Sequence, residues 1–203
     1  MKIAFNVWLK FRFRPLVRFT SAFTHSPVRV LTQSDELRVT IPSPQYDQRE
    51  VRPDALMWIA GDGPAREDCE RLARELGIED RVRFLGQRRD LPELLAASDL
   101  VMIPSFCNDA FPYTAVEAMC AGRPVVASRD GGLDEMLAGG TRGLLVSPRD
   151  AEGFAEASLR LIHDPLFATG LAKEGSAFAS ELTVERHVGA LTRIYEELLG
   201  SSS

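Results

Sequence analysis

From residue 56 onward, short apolar runs alternate with stretches whose apolar residues recur at helical spacing, and this alternation constrains the fold most. The run 56–60 reads as a buried strand. Gly61-Asp-Gly-Pro64 then turns the chain, with Pro64 suited to a first helical position. The next helix runs to about Leu76, with Cys69, Leu72, Ala73 and Leu76 on one face and Gly77 as its C-cap. Further strands are expected at 82–85, 100–103, 124–127 and 143–146. Helices are expected at 91–97, 111–121 and 133–137, and from the cap Asp150 to about His163, before Pro165. Two more, over 166–180 and 184–199, close the chain. Such alternation with short links predicts an α/β fold with a doubly wound parallel sheet, whose ligands sit at the carboxyl ends of the strands.

One motif follows such a carboxyl end directly: Asp109-Ala-Phe-Pro-Tyr-Thr-Ala-Val-Glu117. Asp109 falls in the loop before a helix, and Glu117 about a turn and a half inside it, with Pro112 between them. First-turn N–H groups lack intrahelical partners, and the helix dipole makes that end electropositive. A phosphate fits there, while each carboxylate accepts hydrogen bonds from hydroxyls on its own side. A diphosphate between two polyols, as in a nucleotide-sugar, matches this layout.

Several stretches, in order and spacing together, resemble a known family. They are Trp58-Ile-Ala-Gly-Asp-Gly-Pro64, Val82-Arg-Phe-Leu-Gly86, Ala97-Ser-Asp-Leu-Val-Met-Ile-Pro-Ser105, the Asp109/Glu117 block, Gly122-Arg-Pro-Val-Val-Ala127, and Gly131-Gly132 with Glu135. From about Leu56 to Leu199 the chain resembles the C-terminal, donor-binding half of a GT-B glycosyltransferase of family 4 (group 1). The family more often has Glu where this chain has Asp109, which keeps the charge and shortens the reach. The resemblance implies a Rossmann-like domain over 51–200, preceded by an atypical basic and aromatic segment with a linker over 1–50. It also implies transfer of a sugar from a UDP-, GDP- or ADP-sugar to a carbohydrate or lipid-linked acceptor, with retention of configuration.

For the site, the resemblance implies catalytic roles for Glu117 on the nucleotide ribose and Asp109 on the transferred sugar. Phe111, Pro112, Tyr113 and Thr114 surround the phosphates, Pro112 without an N–H to offer. Gly61, Gly63 and Gly86 approach the donor. Plainer readings compete: a helix-surface Glu for Glu117, an N-cap for Asp109, capping alone for 111–114, and tight turns for Gly61-Asp62-Gly63 and Gly131-Gly132. No cofactor beyond the substrate and no metal are implied. His25, His163 and His187 stand in no metal or triad arrangement.

The composition, 45% apolar and 26% charged over 203 residues, suits a globular enzyme domain. Cys69, Cys107 and Cys120 show no metal spacing and suggest reduced thiols in a cytoplasmic setting. Cys107 reads as a small residue in a pocket wall rather than a reactive thiol. Residues 1–34 carry six basic residues and no acid, which leaves a formal −11 on the rest of a chain that totals −5. The acidic remainder argues against a nucleic-acid-binding body. The basic head is interleaved with Phe5, Trp8, Phe11, Phe13 and Phe19. It suits peripheral contact of residues 1–20 with an anionic membrane face, or a half-packed remnant of another domain, the remnant standing somewhat ahead. Asn6 and Lys10 break its apolar stretches, so no bilayer span and no signal peptide are expected.

The head departs from the family. Residues 28–32 suit a strand and the Pro-rich 39–47 a linker. The family's next unit, a strand and helix with an Arg and a Lys that neutralise the donor diphosphate, is expected to be missing. Lys2, Lys10 and Lys173 are the only lysines, and Arg49 or Arg52 is a wider fork than an ammonium. Without that pair, the leaving group loses much of its electrostatic stabilisation. The acceptor domain is absent or a stub. A missing first unit also leaves an incomplete sheet edge, a liability that invites pairing with another chain. Two functions therefore stand open: a glycosyltransferase, or a catalytically incomplete donor-binding module or half of a split enzyme. A dehydrogenase is disfavoured because no G-x-G-x-x-G follows a strand.

Overall fold

A computed structural model of the chain describes residues 55–105 and 108–200, and the backbone of residues 6–9. The expected strand at 28–32, the 39–47 linker, Arg49, Arg52 and Cys107 lie outside the described residues. The elements run β1 (Asn6–Leu9), β2 (Met57–Ala60), α1 (Arg66–Glu75), β3 (Val82–Gly86), α2 (Leu91–Ala97) and β4 (Leu100–Ile103). They continue α3 (Tyr113–Cys120), β5 (Val125–Ser128), α4 (Gly132–Met136), a 3₁₀ turn (Ala138–Gly140), β6 (Leu144–Val146), α5 (Ala151–His163), α6 (Pro165–Glu181) and α7 (Val184–Gly200).

One sheet holds the six described strands in the order β3-β2-β1-β4-β5-β6. β2 pairs parallel with β3, and β4, β5 and β6 pair parallel in series. β1 lies between β2 and β4 and runs against both, with Trp8 opposite Trp58 and Val101. The five strands from β2 to β6 therefore share a direction, as the βα alternation predicts. β1, with the strand-favouring Val7 and Trp8, is an internal strand, so the incomplete sheet edge expected from the sequence does not stand beside β2 or β4. Because β1 is reversed, Asn6 pairs with Ala60 at the edge where β2–β6 have their carboxyl ends, while Leu9 lies opposite Met57 and Leu100 at the other edge.

The period-2 geometry of the strands splits the core into two layers. Val101 and Ile103 of β4 and Val125 and Ala127 of β5 pack with Ala73, Leu95, Ala115, Ala118, Met119, Leu133 and Met136, from α1 to α4. Leu100, Val126 and Val146 join the opposite layer, with Phe154 and Leu161 of α5 and Leu171 of α6. Strands buried on both faces read as unbroken apolar runs, which is why Val-Val-Ala carries no polar alternation. Each fully buried Val, Ile or Leu contributes about 1.5–3 kcal/mol.

α6 reaches both layers. Leu171 enters one and Ala179 the other. Ser176 Oγ donates to the Met119 carbonyl at 2.6 Å. At Gly175 an added Cβ would stand 3.0 Å from Met119 Cγ, so glycine lets α6 approach the end of α3. The expected caps form: Asp150 accepts from Gly153 N–H at 2.9 Å, and Gly77 ends α1 with φ +66°. No described helix is long and apolar enough to cross a membrane.

Candidate functional site

α3 is seated by its buried residues Thr114, Ala115, Ala118 and Met119. Burial of that face, rather than a polar cap, fixes its direction. Its N-cap is Pro112, extended at ψ 102°, and no side chain caps it. The expected helix start at Phe111 is therefore corrected by two residues. The residue before a proline is sterically driven out of the α region, so Phe111 belongs to the loop.

Asp109 lies on the exposed loop after β4. Its Oδ1 accepts from Phe111 N–H at 3.0 Å, two residues on. The carboxylate thus shapes the loop ahead of the helix and does not cap the helix itself. Pro112 and Thr114 are buried, whereas Phe111 and Tyr113 are exposed and meet edge to face at 5.7 Å. The first turn of α3 holds no acidic residue, in contrast to α1 with Glu67 and Asp68 and α4 with Asp134 and Glu135. Its electropositive end is therefore not offset from within the helix.

Glu117 is half-buried on α3, four residues after Tyr113 and three after Thr114, so these share a face. Burial pushes the Glu117 carboxyl above the ordinary Glu range, because desolvation penalises the charged form. A hydroxyl-bearing ligand that donates to this carboxylate restores the hydrogen bonds that burial removed.

The glycines meet at the other half of the same edge. Gly61 follows β2, and its N–H donates to the Gly86 carbonyl at 2.7 Å, which joins the carboxyl ends of β2 and β3. Both have positive φ, at 137° and 66°. Gly63 N–H turns back to Asp62 Oδ1 at 3.0 Å. The structure thus brings Gly61 and Gly86 together, and it places Asp109 and Glu117 across β1, beyond β4. Sequence reasoning passed over Arg66. Its Nη1 is the nearest group to a Cβ built on Gly86, at 3.5 Å, and the side chain pairs with Asp62 and Glu70. The i,i+4 spacing Asp62–Arg66–Glu70 was the available signal.

Cys69 is half-buried and Cys120 exposed, and neither is in a disulfide. His163 and His187 are exposed on α5 and α7. Among the described residues, no group of three or more His, Cys, Asp or Glu is placed to hold a metal ion.

Residues 36–164, more than half the chain, match the family model described as glycosyl transferases group 1. The lipopolysaccharide core biosynthesis glycosyltransferase LpsE of Rhizobium meliloti is 35% identical over 150 residues, which are 73% of this chain and 43% of that protein. The D-inositol 3-phosphate glycosyltransferase of Corynebacterium jeikeium is 37% identical over 138 residues, 67% of this chain and 33% of the relative. Among solved structures, Anabaena HepE in complex with UDP-glucose superposes with a TM-score of 0.64 at 31% identity, over 79% of this chain and 46% of that one. This chain spans less than half the length of each of these relatives.

Proposed function

Because the chain belongs to the group 1 glycosyltransferases, we propose that it is the donor-binding part of an enzyme that moves a sugar from a nucleotide-sugar to a carbohydrate or lipid-linked acceptor. Glu117 accepts hydrogen bonds from the ribose hydroxyls. The diphosphate lies on the first-turn N–H groups of α3, and Asp109 accepts from hydroxyls of the transferred sugar. Gly61, Gly63 and Gly86 border the donor where a Cβ would crowd it. In the transfer, the bond from the anomeric carbon to the diphosphate oxygen breaks and its electron pair leaves with the diphosphate. The acceptor oxygen bonds the same carbon, on the face the diphosphate leaves, and its proton passes to the departing diphosphate oxygen. The observation that carries this reading is a half-buried Glu117 on a helix whose uncapped, acid-free N-terminus opens beside Asp109 at the carboxyl edge of the sheet.

One feature favours a second reading, a donor-binding module without turnover. β1 points its carboxyl end away from the edge where the other five described strands have theirs. No lysine lies between residues 11 and 172. A partner chain that supplies the acceptor half, and contact of residues 1–20 with a membrane face, belong to this proposal as well.

The test is calorimetry with UDP-, GDP- and ADP-sugars, followed by an assay for sugar release or transfer. Saturable binding of one donor class is expected. Turnover identifies the enzyme; binding without turnover, even with an added acceptor half, identifies the module. No binding of any donor overturns both.

A further inference from the structure

The loop that carries Asp109 is held from outside as well as by its own Asp109–Phe111 bond. It is clasped by the turn after β5, more than twenty residues further along the chain. Asp130 Oδ2 accepts from Asn108 N–H at 2.9 Å. Gly132 N–H donates to the Asp109 carbonyl at 2.8 Å. Asn108 is held in the left-handed region at φ 52°, uncommon for a residue with a Cβ. The approach is close enough to require both glycines. A Cβ on Gly131 would stand 2.6 Å from the Asp109 carbonyl oxygen, and one on Gly132 would stand 2.0 Å from the Ala110 carbonyl oxygen. The clasping turn is itself anchored: Arg129 N–H donates to Val146 of β6 at 2.7 Å, Asp130 N–H to Ser128 of β5 at 2.9 Å, and Leu133, the second residue of α4, is buried.

We infer that Asp130, with Gly131 and Gly132, forms a positioning device for Asp109, and so governs affinity for the sugar portion of the donor and not for its nucleotide portion. The inference rests on the donor-binding reading above. The separation follows from how the two halves of the site are held. α3, with Glu117 and the first-turn N–H groups, is fixed by its own buried face. The Asp109 loop is exposed and has the Asp130 carboxylate and the Gly132 N–H as its straps to the body of the domain. An exposed loop without such straps spreads over many backbone conformations, and each must be surrendered on binding. The Gly131-Gly132 pair, read from sequence as a turn, thus serves the neighbouring loop more than its own.

The experiment compares the full chain with Asp130→Ala and Asp130→Asn by calorimetry. Each is titrated with a nucleoside diphosphate and with the matching nucleotide-sugar, using whichever of the UDP/UDP-glucose, GDP/GDP-mannose and ADP/ADP-glucose pairs the wild type holds most tightly. D130A is expected to weaken the nucleotide-sugar about tenfold, the worth of one hydrogen bond to a charged acceptor, and to leave the nucleoside diphosphate within about twofold. D130N keeps an oxygen for Asn108 N–H and is expected to recover most of the loss. In an Asp109→Ala background, D130A should add nothing further for the nucleotide-sugar. Thermal unfolding checks that each variant folds. If D130A does not, Asp130→Ser, too short to reach Asn108, reads the same contact. Equal weakening of both ligands, no weakening of the nucleotide-sugar, or an undiminished effect without Asp109 each overturns the clasp while leaving donor binding intact. A wild type that binds neither ligand of any pair overturns the donor reading, and the clasp with it.

Discussion

α3 and α7 are both helices of this chain, and they are held by opposite means. α3 has eight residues, four of them buried, and its end is tied to α6 through Ser176. α7 has seventeen residues, none of them buried, with Val184, Val188, Leu191, Tyr195 and Leu198 exposed at alternating spacings of four and three. A helix seated in a core has one orientation, so a carboxylate on it points one way. A helix without a seat depends on length and local pairs, such as the 3.3 Å Arg186–Glu181 contact at its start. The lesson is that burial, and not length, decides which helix can aim a ligand-binding group.

The contrast breaks most readily at the core. Met119→Ala empties a fully buried site between α3 and α6, and is expected to destabilise the fold by about 2–5 kcal/mol in urea denaturation. Ser176→Ala removes one bond to the Met119 carbonyl, which keeps Gly122 N–H as a partner, so a loss of about 0.5–1.5 kcal/mol is expected by the same measurement. Leu191→Ala on α7 should fall within about 0.5 kcal/mol. A Leu191 effect as large as that of Met119 would erase the distinction between the two helices.

A subtler prediction concerns Glu117 and pH. Burial raises its carboxyl, so over part of the acid range the folded chain holds a proton that the unfolded chain has released. That contribution to stability is complete below the ordinary value of about 4.3 and is lost as pH rises through the folded value. Glu117→Gln escapes the loss. Its Tm is expected to exceed that of the wild type at neutral pH, with the difference fading towards pH ~4. A lower Tm for the Gln variant at neutral pH would show that the ionised carboxylate has stabilising partners in the folded chain.

The sheet strands from β2 to β6 were legible because they are apolar runs bounded by Gly and Pro. Asp150 and Gly77 were legible as caps because capping is local. The start of α3 was misplaced because Pro112 suits a first helical position, although the restriction that proline places on Phe111 was there to be read. β1 was not legible. Four residues gain a strand only through partners about fifty and ninety-five positions away, and no local pattern encodes that register or its reversed direction. The straps on the Asp109 loop were hidden for the same reason, since Asp130 meets Asn108 only when β4 and β5 lie side by side. At Glu117 the residue type and spacing were visible, whereas its half-burial followed only from the seating of α3.

The decisive measurement is a calorimetric titration of nucleoside diphosphate into wild type and Glu117→Ala at neutral pH. If the half-buried carboxylate of α3 holds the ribose, the variant loses about ten- to a hundredfold in affinity, as expected for hydrogen bonds to a charged acceptor. Equal affinity in the two proteins would contradict the assignment of α3 as the nucleotide-binding element.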